Sequence, residues 1–345
     1  MIISFSSTIF QNQDPDIQST LAHILVALLT DNHFIENKSI SRIFYNDKNK
    51  YIFNENNISK IYLSVHQRQN LKDYITNNRK SITQLHKNHL THFTIGINLE
   101  AGEIHPNDAY KIITERSKII VENGINDGKF IEGISQKYSG KKIRGSIYQL
   151  VDKAIKKGII EADNAGGVGE IVKITQHWID DHRYHKIYKY KLMAVFDSDK
   201  THVNDFQTRY TKLIEFLKIR SISNPPTQTD KSYEESDLIV WHMLYKRKIE
   251  NYIPLSILFD KFQSISPIQK TDLKNKTESE LDFIQYDRDN IGQIKIKEEF
   301  PKIFIDNFSY RDLEERCEHH KVFLPEANEL VSELEQILLK IAKII

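Results

Sequence analysis

Lys118-Ile119-Ile120-Val121-Glu122-Asn123 is an apolar run of strand length that stops on a carboxylate. Later segments share this build: one run closes at Ala165-Gly166-Gly167, another at Phe196-Asp197-Ser198-Asp199, and a last one is followed by Ile249-Glu250-Asn251-Tyr252. Short continuous apolar runs read as strands buried on both faces, the signature of a parallel sheet. Parallel strands would carry the polar ends to one edge of that sheet.

Outward from this run, Ser117 to Val121, Ile159 to Ala162, Leu192 to Phe196 and Leu238 to Leu244 are the strand candidates. A Lys-rich helical stretch follows the first. Val168, Ile171, Val172, Thr175, Trp178 and Ile179 share one helical face after the second, and Phe206, Tyr210, Leu213, Ile214 and Leu217 another after the third. This alternation predicts an α/β domain over residues 106–253, a mainly parallel four-stranded sheet flanked by helices. Asn224-Pro225-Pro226-Thr227 marks a loop within it. Residues 1–105 read as an α+β region in which Asp14 caps a helix running to Leu29, with Pro15 in its first turn. Residues 254–345 read as mostly helical. They close on a helix whose apolar positions are Leu330, Val331, Leu334, Ile337, Leu338, Ile341 and Ile344.

The balance of 48 basic and 47 acidic residues in 345 leaves a net charge of +1, so an anionic partner must meet local basic patches rather than a uniformly basic surface. The single cysteine, Cys317, allows no intrachain disulfide, which fits a reducing compartment. The apolar stretch Leu21 to Leu29 is interrupted by His23 and is far below the roughly 20 residues a membrane span needs. No basic region follows Met1, so the expectation is a cytoplasmic protein with no membrane partner.

Aspartates two apart, as Asp197 and Asp199 are, point to one side while the backbone stays extended. With Glu122 from a neighbouring strand they would form a cluster of like charges, which either binds a hard cation such as Mg²⁺ or Mn²⁺ or holds a proton at raised pKa. A cation there supports phosphoryl chemistry, with Glu122 as ligand or as general acid/base. Gly166 and Gly167 would open the turn between strand and helix and leave amides free for phosphate.

In order and context these residues resemble the TOPRIM domain of topoisomerases, bacterial primases, recombination mediators and nucleases of the overcoming-lysogenization-defect type. Glu122 ends the first strand, Gly166 and Gly167 follow the second, and Asp197 and Asp199 end the third. The resemblance covers about residues 116 to 253. Ile119 to Phe130 is similar to the first motif of stand-alone TOPRIM nucleases, and His242 to Tyr252 to a basic-then-Glu-Asn-Tyr segment of TOPRIM effectors in phage defence, some of them paired with a sensor ATPase. The resemblance implies an Mg²⁺- or Mn²⁺-dependent endonuclease acting on DNA or RNA, transfer RNA included. Glu122, Asp197 and Asp199 would be its catalytic and metal-binding residues. Asp127 is a further ligand candidate, although the family's second acid falls where Asn126 stands. Glu250 is another, beside Lys246, Arg247 and Lys248, which would hold phosphates with Gly166 and Gly167.

Two other readings stand beside this one: a non-catalytic module of the same fold that binds nucleic acid or a partner ATPase, and a housekeeping RNA-maturation nuclease. Lys137, Lys141, Lys142 and Arg144, with Lys153, Lys156 and Lys157, could line a nucleic-acid track or form solvated helix faces. His86, His89 and His92, and Cys317 with His319 and His320, lack a paired ligand set at zinc spacing and are read as no metal site.

Overall fold

The computed structural model describes residues 1–29, 33–45, 63–84, 89–142, 144–227, 229–286, 291, 299, 303–306, 308–324 and 329–345. His86 lies outside them. The chain forms two compact units, one of residues 1–117, 179–191 and 342–345, the other of residues 118–178 and 192–341.

The first unit is built on a parallel sheet of β1 (Ile2–Phe5), β2 (Phe34–Ile35) and β3 (His92–Ile95), in the order β2-β1-β3. The helix Pro15–Leu28 begins as its sequence dictates: the Asp14 carboxylate accepts the Asp16 amide at 2.9 Å and Pro15 occupies the first turn. Its buried stripe of Leu21, Ile24, Leu25 and Leu28 joins the core that contains Phe5, Phe10 and Phe44. The helix Pro106–Thr114, expected in the α/β domain, contributes Ala109 and Ile112 to this core instead.

The second unit carries the expected four-stranded sheet. β4 (Ser117–Val121), β5 (Ile160–Asn164), β6 (Leu192–Phe196) and β7 (Val240–Met243) lie in the order β5-β4-β6-β7. β4 and β6 run parallel with Val121 opposite Val195, and β6 and β7 run parallel with Phe196 opposite Met243. The central strand β6 is buried along its whole length, as its unbroken apolar sequence requires, whereas edge strand β5 alternates Ile160, Glu161, Ala162, Asp163. Helices Asn126–Tyr138 and Gly145–Lys156 follow β4, Val168–Asp180 follows β5, and Thr211–Lys218 follows β6.

The C-terminal region is not a separate body, because residues up to 341 belong with the sheet. Nor is it wholly helical: β8 (Val322–Leu324) and β9 (Glu329–Val331) pair antiparallel. Leu330 and Val331 therefore sit in a strand, and the last helix runs only from Glu333 to Ala342. Ser332 starts it, its hydroxyl accepting the Glu335 amide at 3.3 Å while the Glu335 carboxylate accepts the Ser332 amide at 3.1 Å. Among the described residues no helix is long and apolar enough to cross a membrane.

Candidate active site

Because β4 and β6 are parallel and in register, Glu122 and Asp197 emerge one residue past neighbouring strand ends. The Asp197 amide donates to the Glu122 carboxylate at 3.2 Å. The turn after Glu122 is fixed by its own side chains: Asn123 Oδ1 accepts the amides of Ile125 and Asn126 at 3.2 and 3.1 Å, and Asp127 accepts the Asn123 amide at 2.8 Å. Asp127 thus joins the acidic edge while closing the turn at the start of its helix.

Burial pushes all three acids up. Glu122 is raised first by loss of solvent and then by Asp127; Asp197 is raised well above the carboxylate range by burial, then by Glu122, Glu250 and Asp127. Asp127 is pushed up to about 6, chiefly by burial. Lys248 opposes these shifts, its ammonium 3.7 Å from the Asp197 carboxylate. Glu250, in the turn Ile249–Tyr252, adds its charge to this field.

The glycine pair is required by the backbone. Gly166 has φ 80° and Gly167 φ 136°, in the region that favours glycine, and a Cβ on either would meet nothing within 4 Å. The expectation of free amides fails at Gly166, whose N–H is shared between Glu122 O at 3.1 Å and Asn164 Oδ1 at 3.2 Å. Its function in the fold is to tie the β5 turn to the Glu122 turn.

Asp199 departs from its expected place. The same-side rule needs extended backbone, and Asp199 sits at φ 49°. Its carboxylate accepts from Arg209 and, at 2.8 Å, from the Tyr210 hydroxyl, with Arg247 and Lys248 at 3.7 and 3.6 Å. Arg247 also donates to the backbone oxygens of Asp199 and Lys200 at 2.8 Å each. Asp199 is the hub of a basic cluster rather than a third member of the Glu122–Asp197 group.

Lys246 is also corrected: it is fully buried with its ammonium on Asp282, so it does not face a phosphate. Arg247 and Lys248 remain at the edge, joined by Arg209, which sequence reading missed. With Asp199, Glu250, Gln207 and Tyr286 they line a cleft of about 460 Å³. The supposed basic track loses several members to internal partners: Lys137 bonds the Asp306 carbonyl, Lys141 pairs with Glu314 and Glu335, and Arg144 with Glu329 and Glu335.

An all-carboxylate donor set at Glu122 and Asp197, with Asp127 and Glu250 in the same field, fits a hard cation such as Mg²⁺ or Mn²⁺, whose charge would relieve the repulsion. The acids are not gathered into a finished shell: among the described residues, the group of three ligand-type side chains with all ligand atoms within 4.8 Å is Asp282, His319 and His320. Comparison with known proteins adds no identification, since no family model, curated protein or solved structure matches the chain.

Proposed function

We propose that this protein is an Mg²⁺- or Mn²⁺-dependent endonuclease of the TOPRIM type, hydrolysing phosphodiester bonds in DNA or RNA as the toxic effector of an anti-phage system. The observation that carries this reading is the Glu122 carboxylate set against the Asp197 amide at the ends of two adjacent parallel strands, with Lys248, Arg209 and Arg247 beside it. Glu122 and Asp197 hold the ion. The chemistry a bound ion supplies there is charge neutralisation on the phosphate and a more acidic water. Burial, and after it the Asp127 charge, raise the Glu122 pKa above the ordinary carboxylate value, which suits this side chain to proton transfer beside the ion. Arg209 and Lys248, about half exposed, bind the phosphate, and Asp199 positions them. A sensor ATPase is the partner class that would restrain such an effector.

The test is incubation with plasmid DNA and with transfer RNA under Mg²⁺ or Mn²⁺. Cleavage by the wild type that falls at least 100-fold in Glu122→Ala and in Asp197→Ala is the expected result. Equal cleavage by all three proteins removes these residues from the mechanism.

The arginine and tyrosine contacts on Asp199 favour a second reading, a nucleic-acid-binding module without hydrolysis. That reading expects unchanged nucleic-acid affinity in Glu122→Ala and no rise in melting temperature on adding metal.

A further inference from the structure

The turn Glu318–His320 ends on two consecutive histidines. Neighbouring side chains on a helical turn ordinarily diverge. Here both Nε2 atoms lie 2.6 Å from one oxygen, Oδ2 of Asp282, and the two ring centroids are 4.0 Å apart. Asp282 follows the short helix Glu278–Leu281 and is fully buried. Its other oxygen, Oδ1, is taken by Lys246 and, at 3.1 Å, by Arg316, which also pairs with Glu278. The carboxylate is therefore oriented through Oδ1, and Oδ2 faces the imidazoles. The histidine side chains are 29% and 19% exposed, so water reaches the open side of the group.

We propose that Asp282 Oδ2, His319 Nε2 and His320 Nε2 form a site for a borderline transition-metal dication, with Zn²⁺ as the reference ion and solvent in the fourth position. Ligand atoms around tetrahedral zinc sit about 3.3 Å apart, given metal–ligand bonds of roughly 2.0–2.1 Å. The 2.6 Å from Oδ2 to each Nε2 widens to that value with a shift of less than about 1 Å, and all three ligand atoms already lie within 4.8 Å of one another. Two imidazoles and one carboxylate select Zn²⁺ over Mg²⁺, which sets this site apart in chemistry from the acidic edge. Hydrogen bonds to the distal oxygen of a ligating carboxylate fix its direction, the arrangement seen at Oδ1. The positive charges of Lys246 and Arg316 weaken the site relative to one with a neutral surround.

Metal here would bear on the rest of the unit through the backbone. The Arg247 amide donates to Asp282 O at 2.9 Å, and Arg247 O accepts the amides of Ser198 and Asp199 at 3.2 and 3.0 Å. Clamping Asp282 to the histidine turn therefore holds the segment on which the Asp197–Asp199 loop rests.

The experiment uses the full chain, stripped with chelator, dialysed, and titrated with Zn²⁺ alone against a chromophoric zinc indicator. The expected result is one equivalent bound by wild type and by Glu122→Ala, with affinity lowered at least 10-fold in His319→Ala and in His320→Ala. His320→Gln, which keeps a donor to Asp282 but lacks an imidazole, is expected to lose the same affinity while its metal-free melting temperature stays at the wild-type value. Absence of a stoichiometric zinc ion in the wild type overturns the proposal. So does wild-type affinity in the histidine variants, or loss of the ion in Glu122→Ala alone.

Discussion

Glu122, Asp197 and Asp127 bring like charge into a half-buried edge, and the cost is visible in their raised pKa values. For Asp127 the ordinary value of 3.8 rises to about 6 in the fold, so between those pH values the folded state binds more protons than the unfolded one and stability falls as pH rises. Asp127→Asn keeps an acceptor for the Asn123 amide and removes the charge. In chelator, its melting temperature is expected to match the wild type below about pH 4 and to exceed it increasingly through pH 6; a gap independent of pH would contradict this. Asp199→Asn breaks charged hydrogen bonds at a site only 8% exposed, and a loss of roughly 2 kcal/mol in urea unfolding is expected. The sequence made Glu122 and Asp197 legible because strand ends can be read from apolar runs. It misplaced Asp199 because a left-handed residue within a short loop leaves no mark in the pattern. Lys246 escapes sequence reading for a related reason: in Lys246-Arg247-Lys248 nothing announces that one charge turns inward to meet an aspartate 36 residues later.

The strands were the readable elements. The apolar run Leu192 to Phe196 coincides with β6 residue for residue, and β5 and β7 differ from their apolar runs only at the ends. Turn chemistry was readable in type but not in use, since the Gly166 amide serves the chain itself. Gly166→Ala places a Cβ at φ 80°, where a left-handed residue costs about 1–2 kcal/mol, and Gly167→Ala at φ 136° is expected to cost more. Thermal melting of the two variants checks the order, and equal melting with the wild type would show that the turn relaxes. The final helix is shorter than its apolar pattern suggests because Leu330 and Val331 fit both a helical and a strand period, and Ser332 with Glu335 decides the boundary.

At the scale of the whole molecule, domain limits were the least legible feature, since each compact unit is discontinuous in sequence. Residues 254–345 read as a region of their own, yet Glu333 is buried with its carboxylate accepting from His242 at 2.9 Å and the Tyr245 amide at 2.6 Å, beside β7. Ile337 is fully buried in that helix, and Ile337→Ala is expected to destabilise the unit by about 2–5 kcal/mol, with the loss read in the same single unfolding transition as the sheet. Separate transitions for sheet and C-terminal region would contradict this assembly. The central claim is that Glu122 and Asp197 jointly hold a divalent ion, and the most direct measurement is Mn²⁺ binding followed by the loss of free-ion electron paramagnetic resonance signal. The account predicts binding by the wild type that Glu122→Ala and Asp197→Ala each weaken at least 10-fold, while His319→Ala leaves it unchanged; equal Mn²⁺ binding in all four proteins would contradict it.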